Sequence, residues 1–67
     1  MMAQLITSMW GSGDNVGRSA NVFKDEDGYF VECSINGAPV KQIDVKEHSI
    51  NYAEDAADNW VWGLIKE

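Results

Sequence analysis

The sequence predicts an α+β fold: an antiparallel sheet of three strands, four if the N-terminal segment joins, with one C-terminal α-helix across one face. Three observations predict it. Residues 29–35 place Tyr29, Val31, Cys33 and Ile35 alternately on one side, the period-two pattern of a half-buried strand. Asn36-Gly37 follows at once and is a strong hairpin signal. Farther on, Ala53, Ala56, Ala57, Trp60, Val61 and Leu64 recur at helical spacing and form one apolar stripe.

Along the chain, residues 1–10 form an apolar N-terminal segment, 11–19 a Gly-rich joint, and 20–67 a β-β-β-α domain. In the first, Leu5, Ile6, Met9 and Trp10 sit at the spacing of a helical stripe, yet Leu5-Ile6-Thr7 suits a strand equally well. A ten-residue helix is marginal alone, so the segment must dock. It is either an extra strand on its own sheet or an arm that docks on a sister chain or another protein. The joint, Gly11-Ser12-Gly13-Asp14-Asn15-Val16-Gly17, holds three glycines and three small polar residues and reads as a flexible loop. Gly17-Arg18-Ser19 echoes the end of a phosphate loop, but Ser12 stands where that motif needs Gly and Arg18 where it needs Lys.

Ala20 to Lys24 is the first strand of the C-terminal domain, closed by the acidic turn Asp25-Glu26-Asp27-Gly28. Val40 to Val45 is the last, with Lys41, Ile43 and Val45 on one face. A two-residue Asn36-Gly37 loop would pair Cys33 with Val40 and Phe30 with Ile43, setting Ile43 and Val45 opposite Val31 and Cys33. A three-residue loop, Ile35-Asn36-Gly37, pairs Val31 with Lys41 and Tyr29 with Ile43. The odd-numbered apolar residues then share a face, as a half-buried sheet requires, so the three-residue loop with a bulge is preferred. The helix starts at a capping box, Asn51 to Glu54, or at Ser49, with Glu54 and Asp55 as an acidic first turn. Gly63 weakens its last turn.

Composition narrows function. A chain of 67 residues buries only about 60% of its unfolded surface, and small folds commonly add disulfides, a metal or self-association. Cys33 is the sole cysteine, so no disulfide forms within the chain, and Cys33 and His48 are the only soft ligands, too few for a closed zinc site. Packing of seven aromatic residues or self-association must supply the rest. Eleven acidic against five basic residues give a net charge of −6, which disfavours nucleic acid and anionic membranes and favours basic partners. No apolar run spans a bilayer, and the start, Met1-Met2-Ala3-Gln4-Leu5, has no secretory pattern. An intracellular setting is expected of such a chain.

No residues point to catalysis, a cofactor or a metal. His48 and Ser49 are the one nucleophile–base pair, and neighbours at a strand-to-helix junction rarely face each other. Cys33 lies mid-strand on the apolar face and reads as a small buried hydrophobe. Asp25 to Gly28 lacks the twelve-residue calcium pattern and its closing Glu. Two contact candidates remain. Trp62 falls near Asp55, Asp58 and Lys66, as an exposed anchor for a protein contact or folded back over the sheet edge. The other is Leu5, Ile6, Met9 and Trp10 on the N-terminal segment.

Asp27-Gly28-Tyr29-Phe30-Val31, the Asn36-Gly37 turn, His48-Ser49, Tyr52-Ala53-Glu54-Asp55-Ala56-Ala57 and Asn59-Trp60 form a pattern over residues 27–66. It resembles small uncharacterised proteins of phages infecting marine cyanobacteria. The resemblance implies a viral protein in a host-cell cytoplasm or packed in a virion, and it carries over no site residues. The expected function is a small acidic non-catalytic module that binds and modulates a host or viral protein. One alternative is a self-associating structural or virion-associated subunit. Another is nucleic-acid binding, which the charge disfavours, or mimicry, for which eleven carboxylates make a thin copy of a duplex.

Overall fold

The computed structural model describes residues 3–64. The elements run β1 (Gln4–Trp10), a 3₁₀ turn (Gly13–Asn15), β2 (Arg18–Asp25), β3 (Gly28–Ile35), β4 (Ala38–Val45) and α1 (Ile50–Val61). The strands form one antiparallel meander in the order β1-β2-β3-β4, with α1 across one face. The fold is therefore α+β with four strands. The N-terminal segment is the fourth: it pairs with β2 from Gln4 opposite Lys24 to Trp10 opposite Ser19. It is neither a helix nor a free arm.

Burial identifies the covered face. Ala20 and Val22 of β2, Val31 and Cys33 of β3 and Val45 of β4 are buried against Ala53, Ala56, Ala57, Trp60 and Val61 of α1. Met9 packs onto this core from β1. Most of these side chains are small, which lets the helix lie close, and Trp60 is the one large side chain fully enclosed. Its indole N–H donates to the Ser34 carbonyl oxygen at 3.3 Å. The Arg18 guanidinium lies over the ring at 3.8 Å and its Nε donates to the Trp60 carbonyl oxygen at 2.6 Å. A cation on an aromatic face and a charged donor on a carbonyl both gain from exclusion of water.

The β3–β4 register differs from both expected loops. The turn is the two-residue Asn36-Gly37 loop, with φ of 54° and 85°, the pair of positive values that a type I′ turn requires. Ile35 faces Ala38 and Ser34 faces Pro39; the register then shifts, and Cys33 faces Lys41, Val31 faces Ile43 and Tyr29 faces Val45. The bulge at Val40, not a longer turn, brings Ile43 and Val45 onto the face of Val31 and Cys33. A second bulge at Ile6 does the same for β1, so that Thr7 faces Val22 and Met9 faces Ala20.

The helix ends also correct the sequence reading. Ser49 is the N-cap residue, in extended conformation and without a side-chain capping bond. Asn51 lies inside the helix, and Glu54 and Asp55 fall beyond its first turn, which holds no acidic residue. At the other end, Gly63 adopts φ +79°. Its N–H donates to the Trp60 carbonyl and the Leu64 N–H to the Asn59 carbonyl, the two bonds of a Schellman stop that favours glycine at this position. Gly63 thus ends α1 instead of weakening it. Leu64 leaves the stripe and is 72% exposed.

The glycine-rich stretch is shorter than expected, since Arg18 and Ser19 belong to β2, and it is tied down. Gly11 N–H donates to the Arg18 carbonyl, and Asn36 N–H to the Gly17 carbonyl at 2.7 Å. Asn15 Nδ2 donates to the Trp62 carbonyl at 3.2 Å. Glycine at position 11 serves proximity: a Cβ there would stand 2.1 Å from the Asn15 carbonyl oxygen and 2.7 Å from that of Val61.

Candidate functional site: the uncovered sheet face

A four-stranded sheet with one helix has a second face that the helix does not cover. Strand alternation puts the remaining side chains there. Register aligns Leu5 with Phe23, Phe23 with Phe30, and Phe30 with Asp44 in one row across the sheet. The Phe23 and Phe30 rings stack with centroids 5.2 Å apart and an interplanar angle of 16°. A middle row holds Ser8, Asn21, Glu32 and Gln42, in which the Ser8 hydroxyl donates to Asn21 Oδ1 at 2.7 Å. Trp10 stands at the far corner opposite Ser19 and is 73% exposed. Leu5 is 53% exposed, while both phenylalanines are half-buried.

Charge on this face is one-sided. Glu32 and Asp44 lie on it, whereas register places Arg18, Lys24 and Lys41 on the helix side. Lys24 lies over the Tyr29 ring at 5.5 Å, and Lys46 pairs with Asp27 at 3.7 Å at the end of the molecule. Among the paired residues of the three rows from Leu5 to Trp10, the face therefore combines apolar rings with carboxylates, and Lys46 stands at its end, paired with Asp27.

The expected contact residues separate. Leu5 and Trp10 share the uncovered face at its two ends, Ile6 occupies the exposed bulge next to Leu5, and Met9 turns inward. Trp62, Asp55 and Asp58 lie on the helix instead. Trp62 is 60% exposed and does not fold back over the sheet; its indole N–H donates to Asp58 Oδ1 at 3.1 Å. Lys66, expected beside them, lies outside the described residues. Phe23 and Phe30 were not among the expected contacts. The signal lay in the short Asp25-to-Gly28 turn, which puts residues 23 and 30 opposite each other.

The groups considered for chemistry are dispersed. His48 stacks on Tyr52 at 3.8 Å rather than approaching a nucleophile. Asp25 Oδ1 accepts the Asp27 and Gly28 amides and so closes the turn. Cys33 is fully buried, and that burial pushes its thiol above the ordinary range, which disfavours the thiolate form. Among the described residues, no group of three or more His, Cys, Asp or Glu side chains is placed to hold a metal. No described helix is long and apolar enough to cross a membrane. Comparisons with family models, with curated proteins and with solved structures gave no match.

Proposed function

We propose that this chain is a small, non-catalytic protein-binding module whose contact surface is the uncovered sheet face. The observation that carries the reading is the row of Leu5, Phe23 and Phe30, with Trp10 at the corner, beside Glu32 and Asp44. Rigid aromatic rings supply much of the energy of protein contacts, and carboxylates around them select for Lys and Arg. The partner is therefore a protein surface that is apolar at its centre and basic at its rim. The role of a phage-encoded modulator of a host or viral protein belongs to this reading and rests on the resemblance of residues 27–66. A cytoplasmic setting in the host follows from the same resemblance.

Self-association is the second reading, since an apolar sheet face can cover itself. It is disfavoured because a second copy would bring Glu32 and Asp44 of both chains into one contact, and like charges facing each other are unfavourable. The same carboxylates oppose a nucleic-acid strand on the rings. Light scattering over a hundredfold concentration range separates self-association from binding to another protein. The expected mass is that of the 7.5 kDa monomer throughout, unchanged in a Phe23→Ser/Phe30→Ser variant. A dimer that this variant dissociates would replace the proposal with self-association.

A further inference from the structure

A second surface stands apart from the uncovered face. Helix α1 packs chiefly on β2 and β3 and touches β4 least, so a cleft of about 360 Å³ opens between helix and strand. Ile43, Val45 and Ala56, the less exposed of its lining residues, form the floor. The exposed His48 and Tyr52, stacked with their rings 11° from parallel, form a wall, and Asp55 stands at the rim. No Lys or Arg among the described residues lines it.

β4 is also the edge of the sheet, paired on one side only. Edge strands present unpaired backbone N–H and C=O groups that can accept another strand. Pro39 and the bulge at Val40 interrupt that edge near the hairpin, because proline lacks a donor and a bulge breaks the ladder. The regular remainder, Lys41 to Val45, includes the stretch that borders the cleft. Side chains at alternate positions of an added strand would face the helix side and reach the cleft from its open flank.

We infer that β4 accepts an extended segment of another protein by strand addition, with a Lys or Arg side chain of that segment seated in the α1–β4 cleft. The apolar floor suits the methylene stem of such a side chain. Tyr52 offers an aromatic surface, and Asp55 the opposite charge, to its cationic head. The net charge of −6 favours approach of a basic segment. An acidic side chain would meet Asp55 with no counter-charge in the lining. The inference does not depend on the uncovered sheet face, and either surface can fail without the other.

The test uses the full chain, labelled with ¹⁵N, and two blocked peptides that alternate Thr and Val around a central Arg or a central Glu. The Arg peptide is expected to shift the amides of Gln42 to Val45 together with those of His48, Tyr52 and Asp55. Asp55→Asn should weaken it about tenfold, as loss of one charge-assisted contact does, and Tyr52→Leu should also weaken it. Both residues are exposed, and unchanged resonances of Val22 and Val31 would verify that each variant keeps its core. The Glu peptide should give no shifts. Equal response to both peptides, shifts confined to the Phe23–Phe30 face, or no shifts at millimolar Arg peptide would each overturn the inference.

Discussion

Replacing Trp60 with Ala is expected to lower folding stability by about 3–5 kcal/mol, as for other large-to-small core changes. The indole is fully enclosed, and the other fully buried core side chains are alanines, valines and one cysteine, which are too small to refill its space. The change also removes the donor to the Ser34 carbonyl and the ring beneath Arg18. A charged group that loses its packing partner in a half-buried site adds to the loss. Trp62→Ala, two residues on, should cost about 0.5 kcal/mol or less, because that ring is exposed and makes one hydrogen bond to Asp58. Denaturant midpoints of the two variants check this. Equal losses would show that the helix presents its faces otherwise than described.

Gly11→Ala should cost about 1–3 kcal/mol, the usual range for forcing extra atoms into a packed site. The new methyl would meet two backbone carbonyl oxygens, those of Asn15 and Val61, and backbone cannot swing aside as a flexible side chain can. Relief requires the 3₁₀ turn to leave the end of α1, with loss of the Asn15–Trp62 bond. Gly13 provides the control. A Cβ there meets nothing within 4 Å, and its φ of +58° is one that Asn tolerates, so Gly13→Asn should be nearly neutral. If the two variants prove equally mild, the loop is not held against the helix.

Much of the fold was legible because its signals are local. Strand β3 and its turn are written in five adjacent facts: four alternating apolar residues and an Asn-Gly pair. The helix stripe from Ala53 to Val61 is as plain. What escaped depended on distance. Leu5-Ile6-Thr7 reads as strand or helix until β2 is placed beside it, since the deciding contact lies in another part of the chain. The same holds for the bulge, which the sequence places at the Asn36-Gly37 turn and the structure at Val40. The face requirement shows that one extra residue exists, but not whether the turn or the strand holds it.

Glycine misled twice, in opposite directions. Gly11 to Gly17 reads as freedom, whereas Gly11 is there because two carbonyls approach it. Gly63 reads as a weak spot, whereas it forms the helix stop and so exposes Leu64. That stop was readable, since a glycine just past an apolar stripe is a helix-end signal. The candidate site was half legible. Leu5 and Trp10 stand out as apolar residues on a segment with no evident core, but Phe23 and Phe30 each sit within their own strand. The pairing across Asp25 to Gly28 sets the two rings side by side, and the β1–β2 register adds Leu5 to the row.

The most direct measurement of the central claim is site-directed photo-crosslinking in cells, with the reactive residue at Phe23 on the uncovered face or at Glu54 on the helix. Crosslinks to a different protein are expected from position 23 and not from position 54. They should fall within a segment of that protein rich in apolar and basic residues, and Glu32→Lys should abolish them. Crosslinks from position 23 only to sister chains, or equal yields from both positions, would contradict it.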